Sequence, residues 1–272
     1  MNIRFWGVRG SIPTPGKSFV KYGGNTSCVE INAGKNTIIL DMGSGLVNLG
    51  TYLIKKNIKN FDILVSHFHY DHTCGLPFFM PAYNKEFSFS IRSGLSKNRK
   101  KTLDVLKKQI SSPSFPITID KFMANIIYDD FEIEKEFLIQ DNIKVKTISL
   151  NHPDGATGYR IENKNKSVCY ITDHEHELSK KNEKLMSFLW KSDVLIYDST
   201  YDDNNFKDYI GWGHSTWQEA TRLAQACKIK NLFIFHHNPE NNDKVLDAIQ
   251  SKCSNINERY IVAQEDMFFK LT

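Results

Sequence analysis

Short apolar runs rich in β-branched residues dominate the first half of the chain, at 2–6, 27–32, 36–41 and 61–66. A second series follows at 143–150, 157–162, 167–172, 193–198 and 231–235. Runs of this length and composition predict strands. Between them, apolar residues recur at spacings of three and four near 45–56, 98–110, 180–190, 216–228 and 241–252, which predicts helices. The clearest runs from Thr216 to Cys227, where Trp217, Ala220, Leu223, Ala224 and Cys227 share one face. Glu219 stands three positions after Thr216, the pattern of a capping box.

Strands come first as meanders, and helices become more frequent later. That order predicts an α/β architecture of two sheets with helices packed outside, not a strictly alternating doubly wound sheet. No internal repeat and no Pro/Gly-rich linker divides the chain, so residues 1–272 are expected to form a single domain. Residues 81–140 break the strand rhythm with a Lys-rich helical pattern and Pro-containing coil. They are expected to be an insertion that covers part of a functional site.

Composition narrows the class without naming a chemistry. The 272 residues suffice for a large hydrophobic core, and 40% apolar content is ordinary for a globular protein. A formal charge of +4, carried almost wholly by Lys with only seven Arg, is no footprint of a DNA-binding surface. No apolar stretch is long enough to cross a bilayer, and Met1–Trp6 lacks the apolar core of a signal peptide. The five cysteines (28, 74, 169, 227 and 253) are odd in number and form no C-x-x-C pair. A reducing, cytoplasmic compartment with buried thiols is therefore expected.

The candidate chemistry concentrates at strand ends. His67-Phe68-His69-Tyr70-Asp71-His72 directly follows the apolar run 61–66. Three imidazoles and a carboxylate in six positions are a ligand set suited to a zinc-like divalent ion. His152 follows the run 143–150, Asp173 follows 167–172, and His236 and His237 follow 231–235. Each is a ligand type at the C-terminal end of an apolar run, which fits a site built at one edge of a sheet. Either His236 or His237 could be the last ligand.

These residues resemble the ligand set of the metallo-β-lactamase superfamily of binuclear hydrolases. The resemblance implies a four-layer αββα sandwich with two metal ions at one edge, Zn2+ first and Mn2+ or Fe2+ as alternatives. By position it assigns His67, His69 and His152 to one metal and Asp71, His72 and His236 to the other, with Asp173 bridging. Asp41, in Leu40-Asp41-Met42-Gly43, matches the family's first acidic motif, which orients a ligand histidine.

A second constellation, Gly213-His214-Ser215-Thr216 together with Asp198, is similar to the pair found in the RNase Z and phosphodiesterase branch. There the histidine protonates the leaving oxygen and the acid orients it. Asp71 is then both a ligand and a candidate proton acceptor. The segments Trp6–Gly16 and Tyr22–Ser27 match the same branch, and Arg9 and Asn25 are the candidates there for substrate or outer contacts. Arg9 reads equally as a phosphate clamp or as a surface arginine, and His237 as a substrate or outer contact. His174 and His176 are expected outside the ligand set. Tyr201, Tyr209, Trp212 and Trp217 flank the second constellation and could stack on a base, with core packing the better reading for Trp217 given its helical spacing.

The expected activity is a binuclear metal-dependent phosphodiesterase acting on cyclic nucleotides or a related small phosphodiester. A homodimer without membrane attachment is the expected assembly. The nearest alternative is a tRNA 3′-processing endonuclease of the RNase Z type, the one reading in which a nucleic acid is the partner. RNase Z proteins usually carry a long basic, Gly-rich arm that is not read here. A glyoxalase-type thioesterase would use the same ligands without needing His214. A flavodiiron reading is disfavoured because position 69 is His and not Glu.

Overall fold

The computed structural model describes residues 1–94, 101–140, 143–178 and 180–271. Their strands form two seven-stranded sheets. The first runs, in spatial order, β14 (Phe268–Lys270), β1 (Asn2–Gly7), β2 (Cys28–Ala33), β3 (Asn36–Leu40), β4 (Asn60–Val65), β5 (Ser88–Gly94) and β6 (Asn125–Phe131). It is antiparallel as far as β3 and parallel from β3 to β6. The second runs β13 (Tyr260–Val262), β12 (Asn231–Phe235), β11 (Val194–Asp198), β10 (Lys166–Ile171), β9 (Ala156–Asn163), β8 (Ile143–Leu150) and β7 (Glu136–Ile139). It is antiparallel from β7 to β10 and parallel beyond.

Period-two alternation divides the apolar side chains between two faces of each sheet. Ile38, Leu40, Val168, Tyr170, Val194 and Ile196 meet in a core between the sheets. Their neighbours Ile39 and Ile63 face outward against Leu46, Leu49 and Leu53 of α1 (Gly45–Lys56) and Leu106 of α2 (Thr102–Gln109). On the other side, Leu195, Tyr197, Leu232 and Ile234 pack against α3 (Glu183–Leu189), α4 (Trp217–Ala226) and α5 (Asp243–Ile256). The result is the four-layer αββα sandwich. Thr216 caps α4, its Oγ1 accepting from the Glu219 N–H at 3.1 Å, and Trp217 is buried in the core as its spacing predicted.

The stretch 81–140 departs from the expected insertion. It supplies β5 and β6 to the first sheet and β7 to the second. These strands were hidden because their pattern is interrupted by polar residues: Arg92 of β5 pairs through Nε with Asp62 of β4 at 3.1 Å, beside Ser90. Only part of the stretch borders the strand-end loops, at the end of α2, where Gln109 Nε2 donates to the Phe68 carbonyl at 2.7 Å. The first part of the basic run 96–108 lies outside the described residues.

Because β3 and β4 are parallel, their C-terminal ends lie at one edge of the first sheet. The ends of β8, β10, β11 and β12 likewise share one edge of the second. Every candidate ligand follows one of these ends. Among the described residues, no helix is long and apolar enough to cross a membrane.

Candidate metal centre

Three of the strand-end residues leave their strands in the left-handed backbone region: Asp41 (φ 62°), Asp173 (φ 54°) and His236 (φ 59°). Non-glycine residues take up this conformation only where surrounding contacts enforce it. Here it turns each side chain back over the sheet edge. The chain after β4 forms a tight loop ending in one 3₁₀ turn, Tyr70–His72, which brings His67, His69, Asp71 and His72 together.

The donor atoms of His67, His69 and His152 lie within 4.8 Å of one another, as do those of Asp71, His72 and His236. Asp173 faces both groups. Its Oδ1 is 3.7 Å from His67 Nε2 and 3.8 Å from His152 Nε2. Its Oδ2 is 3.1 Å from His72 Nε2 and 3.3 Å from His236 Nε2. Of the two neighbouring histidines, the structure brings His236 to the cluster. The His237 ring is turned away, with Nε2 donating to the Ala263 carbonyl at 2.8 Å.

The far nitrogen of each buried imidazole is held by an orienting partner. His72 Nδ1 lies 2.8 Å from Asp41 Oδ2, and that carboxylate also accepts from Ser66 N, Ser66 Oγ and the Tyr170 hydroxyl. His67 Nδ1 reaches Ser66 Oγ at 3.1 Å, His152 Nδ1 donates to Gly213 O at 2.8 Å, and His236 Nδ1 reaches Thr200 Oγ1 at 3.0 Å. Asp71 Oδ2 accepts from the backbone N–H of Ser11 at 2.7 Å. Ser66, Tyr170, Thr200 and the Ser11 N–H carried no signal in the sequence, since each acts through a contact that is distant along the chain or through backbone.

The inward-facing atoms fit a divalent cation. His67 Nε2 is buried without a hydrogen-bond partner, and imidazole nitrogens face each other at 3.1 Å (His69 and His152) and 3.3 Å (His72 and His236). Two nitrogens so placed cannot both accept, and neutral rings cannot all donate, so a cation between them satisfies the set. Burial, together with the charge of His72, holds His67 well below the usual histidine range, and burial lowers His152 as well. Both are thereby kept in the neutral form that ligates. For His72, burial opposes the charged form, but Asp71, Asp173 and Asp41 outweigh it and raise the ring well above its ordinary value. This excess of buried carboxylate is the charge that a metal ion balances.

Beside the cluster, His214 Nδ1 lies 2.9 Å from Asp198 Oδ2. Burial disfavours the imidazolium, yet the charge of Asp198 and the hydrogen bond to it push the pKa up to about 9, with Asp173 and Asp71 adding to the effect. The other Asp198 oxygen accepts from Thr200 N at 3.0 Å and Thr200 Oγ1 at 2.8 Å. A Cβ on Gly213 would overlap His152 Nδ1, and one on Gly10 would overlap the His236 ring. Glycine at these two positions serves close packing against the cluster.

Two candidates fall outside it. Arg9 is fully buried, its Nε donating to Gly23 O at 2.8 Å and its Nη1 to Asn241 O at 2.6 Å. Buried and bonded to backbone carbonyls, Arg9 is not the surface arginine of the sequence reading, and its contacts are those of a residue that ties loops together. Asn25 bridges Glu265 and Ser44 and does not touch the cluster. His174 and His176 also lie outside the donor cluster. His174 Nδ1 accepts from Asn151 N at 3.1 Å, and His176 stacks on Phe206 at 4.1 Å. The five cysteines are free, as expected, with Cys74 packed under the loop 3.6 Å from Thr26 Oγ1.

Residues 36–237 match a family model described as a beta-lactamase superfamily domain. A Ribonuclease Z from Picrophilus torridus is 26% identical over 299 residues, covering 95% of this chain and 92% of the relative. A Ribonuclease Z from Thermoplasma acidophilum is 24% identical over 287 residues, covering 89% and 88%. Among solved structures, the metallo-beta-lactamase fold protein YhfI from Bacillus subtilis superposes with a TM-score of 0.75 at 17% identity, covering 98% of each chain. The short form of human tRNase Z gives 0.69 at 18% identity over 100% of both chains. A diphosphatase of the PhnP family gives 0.70 at 15% identity over 100% of this chain and 98% of its own.

Proposed function

The chain belongs to the metallo-β-lactamase superfamily, on its RNase Z-like branch, and from that premise we propose that it hydrolyses phosphodiester bonds in RNA, with the 3′ end of precursor tRNA as the first candidate substrate. The observation that carries the phosphodiester reading is the 2.9 Å contact between His214 and Asp198 beside the donor cluster. A thioester expels a thiolate that needs no such acid, whereas an alkoxide leaving phosphorus does. The names of the two near full-length relatives support RNA over a cyclic nucleotide.

In this reading His67, His69 and His152 hold one ion, Asp71, His72 and His236 hold a second, and Asp173 bridges them. Two divalent ions, zinc by the donor chemistry, would supply Lewis acidity and an activated water. The residues handle the protons. Asp71 Oδ2, already accepting from Ser11 N, takes the proton of the attacking water as its oxygen bonds to phosphorus. His214 keeps Nδ1 engaged with Asp198, so Nε2 delivers a proton to the departing oxygen as its P–O bond breaks. The products are one phosphomonoester and one alcohol, with the elements of a single water added. A cytoplasmic location and a single domain over 1–272 complete the proposal.

The test is to incubate metal-loaded protein with a 3′-extended precursor tRNA, with cyclic nucleotides and with bis-p-nitrophenyl phosphate. Endonucleolytic removal of the tRNA tail supports the reading. Cleavage of the small diesters alone moves the substrate to the cyclic-nucleotide class, and no cleavage by fully metallated protein overturns phosphodiester hydrolysis.

A further inference from the structure

Beyond Asp198 the chain folds back beside the acid. Tyr201 N donates to Ser215 O at 2.9 Å and Trp217 N to Tyr201 O at 3.3 Å, which pins Tyr201 to the segment carrying His214. The Tyr201 ring lies 5.9 Å from the His214 ring, nearly edge-on at 71°. Tyr209 stacks on Tyr201 at 4.3 Å and 7° between planes, and Trp212 meets the Tyr209 ring at 5.6 Å and 87°. Exposure rises along this ladder from 7% at Tyr201 to 62% at Trp212.

The outermost rung is held and not merely trailing in solvent. Gly211 and Gly213 flank Trp212 with φ of 91° and 85°, a conformation that L side chains rarely adopt. One carboxylate oxygen, Glu175 Oε2, accepts from both of their N–H groups, at 2.6 and 2.9 Å. The carbonyl of Gly213 accepts from His152 Nδ1 at 2.8 Å, which ties the same turn to the ligand set. The turn fixed in this way displays the exposed indole beside the Tyr209 ring at little further backbone entropic cost.

We propose that Tyr201, Tyr209 and Trp212 form a stacking platform for the base of the nucleoside that carries the departing oxygen. The inference rests on phosphodiester cleavage at the neighbouring centre. The departing oxygen must come within reach of His214, so the nucleoside attached to it extends past that ring, where the ladder lies. Aromatic faces accept any base, which gives a preference for the presence of a base over its identity. Glu175 is a positioning residue in this arrangement, acting through the turn that bears Trp212.

The experiment uses a short 3′-tailed hairpin RNA with a single abasic ribose placed on the leaving side of the scissile bond, and a second RNA with it on the opposite side. In the wild type, loss of the leaving-side base should lower kcat/KM about tenfold or more, while loss of the opposite base should have a much smaller effect. Trp212→Ala should bring the base-to-abasic ratio on the leaving side toward one, and Trp212→Phe should restore most of it. A ratio in Trp212→Ala equal to that of the wild type overturns the platform alone, as does a wild-type preference confined to the opposite side. Failure of fully metallated wild type to cleave the all-base RNA overturns the hydrolytic reading, and the platform with it.

Discussion

His214 and Asp198 are joined at 2.9 Å through Nδ1 and Oδ2, and the remaining Asp198 oxygen is fully occupied by Thr200. The carboxylate is thus locked in place by backbone and hydroxyl donors before it meets the imidazole. Its neighbour Thr200 also reaches His236 Nδ1 at 3.0 Å, so the acid pair and the donor cluster share one orienting residue.

From this arrangement His214→Ala should lower phosphodiester turnover by roughly 10²–10⁴-fold, the size of a general-acid contribution. The variant should retain the metal content of the wild type, measured by elemental analysis of the same preparation. Loss of metal together with turnover would reassign His214 to the ligand set. Unchanged turnover would point to a leaving group that needs no proton.

Chelation tests the donor cluster as a whole. A site whose buried His72 and His236 nitrogens face each other at 3.3 Å is costly when empty, so metal binding contributes to folding. Prolonged dialysis against a chelator should abolish turnover and lower the thermal midpoint by roughly 5 °C or more, both recovering on addition of zinc. Asp173→Asn should lower the metal-to-protein ratio more than any change outside the cluster, because each of its oxygens faces a different group of histidines.

Asp41 acts on the metal at one remove. Its Oδ2 fixes His72 Nδ1 at 2.8 Å and also accepts from the buried Tyr170 hydroxyl at 2.7 Å. Asp41→Asn retains volume but should weaken metal affinity about 10–100-fold, the usual cost of losing such an orienting partner. A competition titration with a chromophoric chelator measures this directly.

Arg9 separates a structural role from a substrate role. Its Nε donates to Gly23 O and its Nη1 to Asn238 O and Asn241 O, and no part of it is exposed. Arg9→Lys cannot reproduce that geometry and should cost about 1.5–3 kcal/mol of stability in urea unfolding. KM for the diester should stay at the wild-type value. A raised KM with unaltered stability would reinstate the phosphate contact.

The donor cluster was legible because its residue types are chemically unusual at strand ends: an imidazole or carboxylate after an apolar run is conspicuous wherever it occurs. The strand β5 was not, because Ser90 and Arg92 interrupt its apolar run and satisfy each other and Asp62 only after folding; β6 carries Asp129 and Asp130 just before its end, and β7 is only four residues long. Arg9 was ambiguous for a related reason. A guanidinium in a glycine-rich turn looks the same in sequence whether it meets a phosphate or three carbonyls. The orienting groups Thr200, Ser66 and Tyr170 are ordinary residues, and their contacts to Asp41 and His236 are distant along the chain. Glu175 is the closest to a missed signal, being an acid two positions after Asp173, although its partners are backbone N–H groups of residues 211 and 213.

The opposite end of the second sheet offers a pH test that does not touch the metal site. Asp193 precedes β11, five residues from Asp198, so the two ends are separated by roughly 16 Å at about 3.3 Å per residue. Its side chain is 8% exposed and accepts from Ser167 N at 2.8 Å and from Lys230 Nζ at 2.6 Å. Burial alone would raise its pKa, but these donors prevail and hold it below the ordinary value of 3.8. A carboxylate with a depressed folded-state pKa stabilises the protein fully above its unfolded value and loses that contribution as pH falls through the folded one. Asp193→Asn should therefore be destabilised relative to wild type by about 1 kcal/mol near neutral pH, with the difference narrowing below pH 3.8. Acid loss of metal affects both proteins alike, and distant sites add, so the difference between their urea midpoints isolates Asp193. A gap that stays constant from neutral pH to pH 3 (roughly one unit under the ordinary carboxylate value) would mean that the hydrogen-bond geometry, and not the charge, carries the effect.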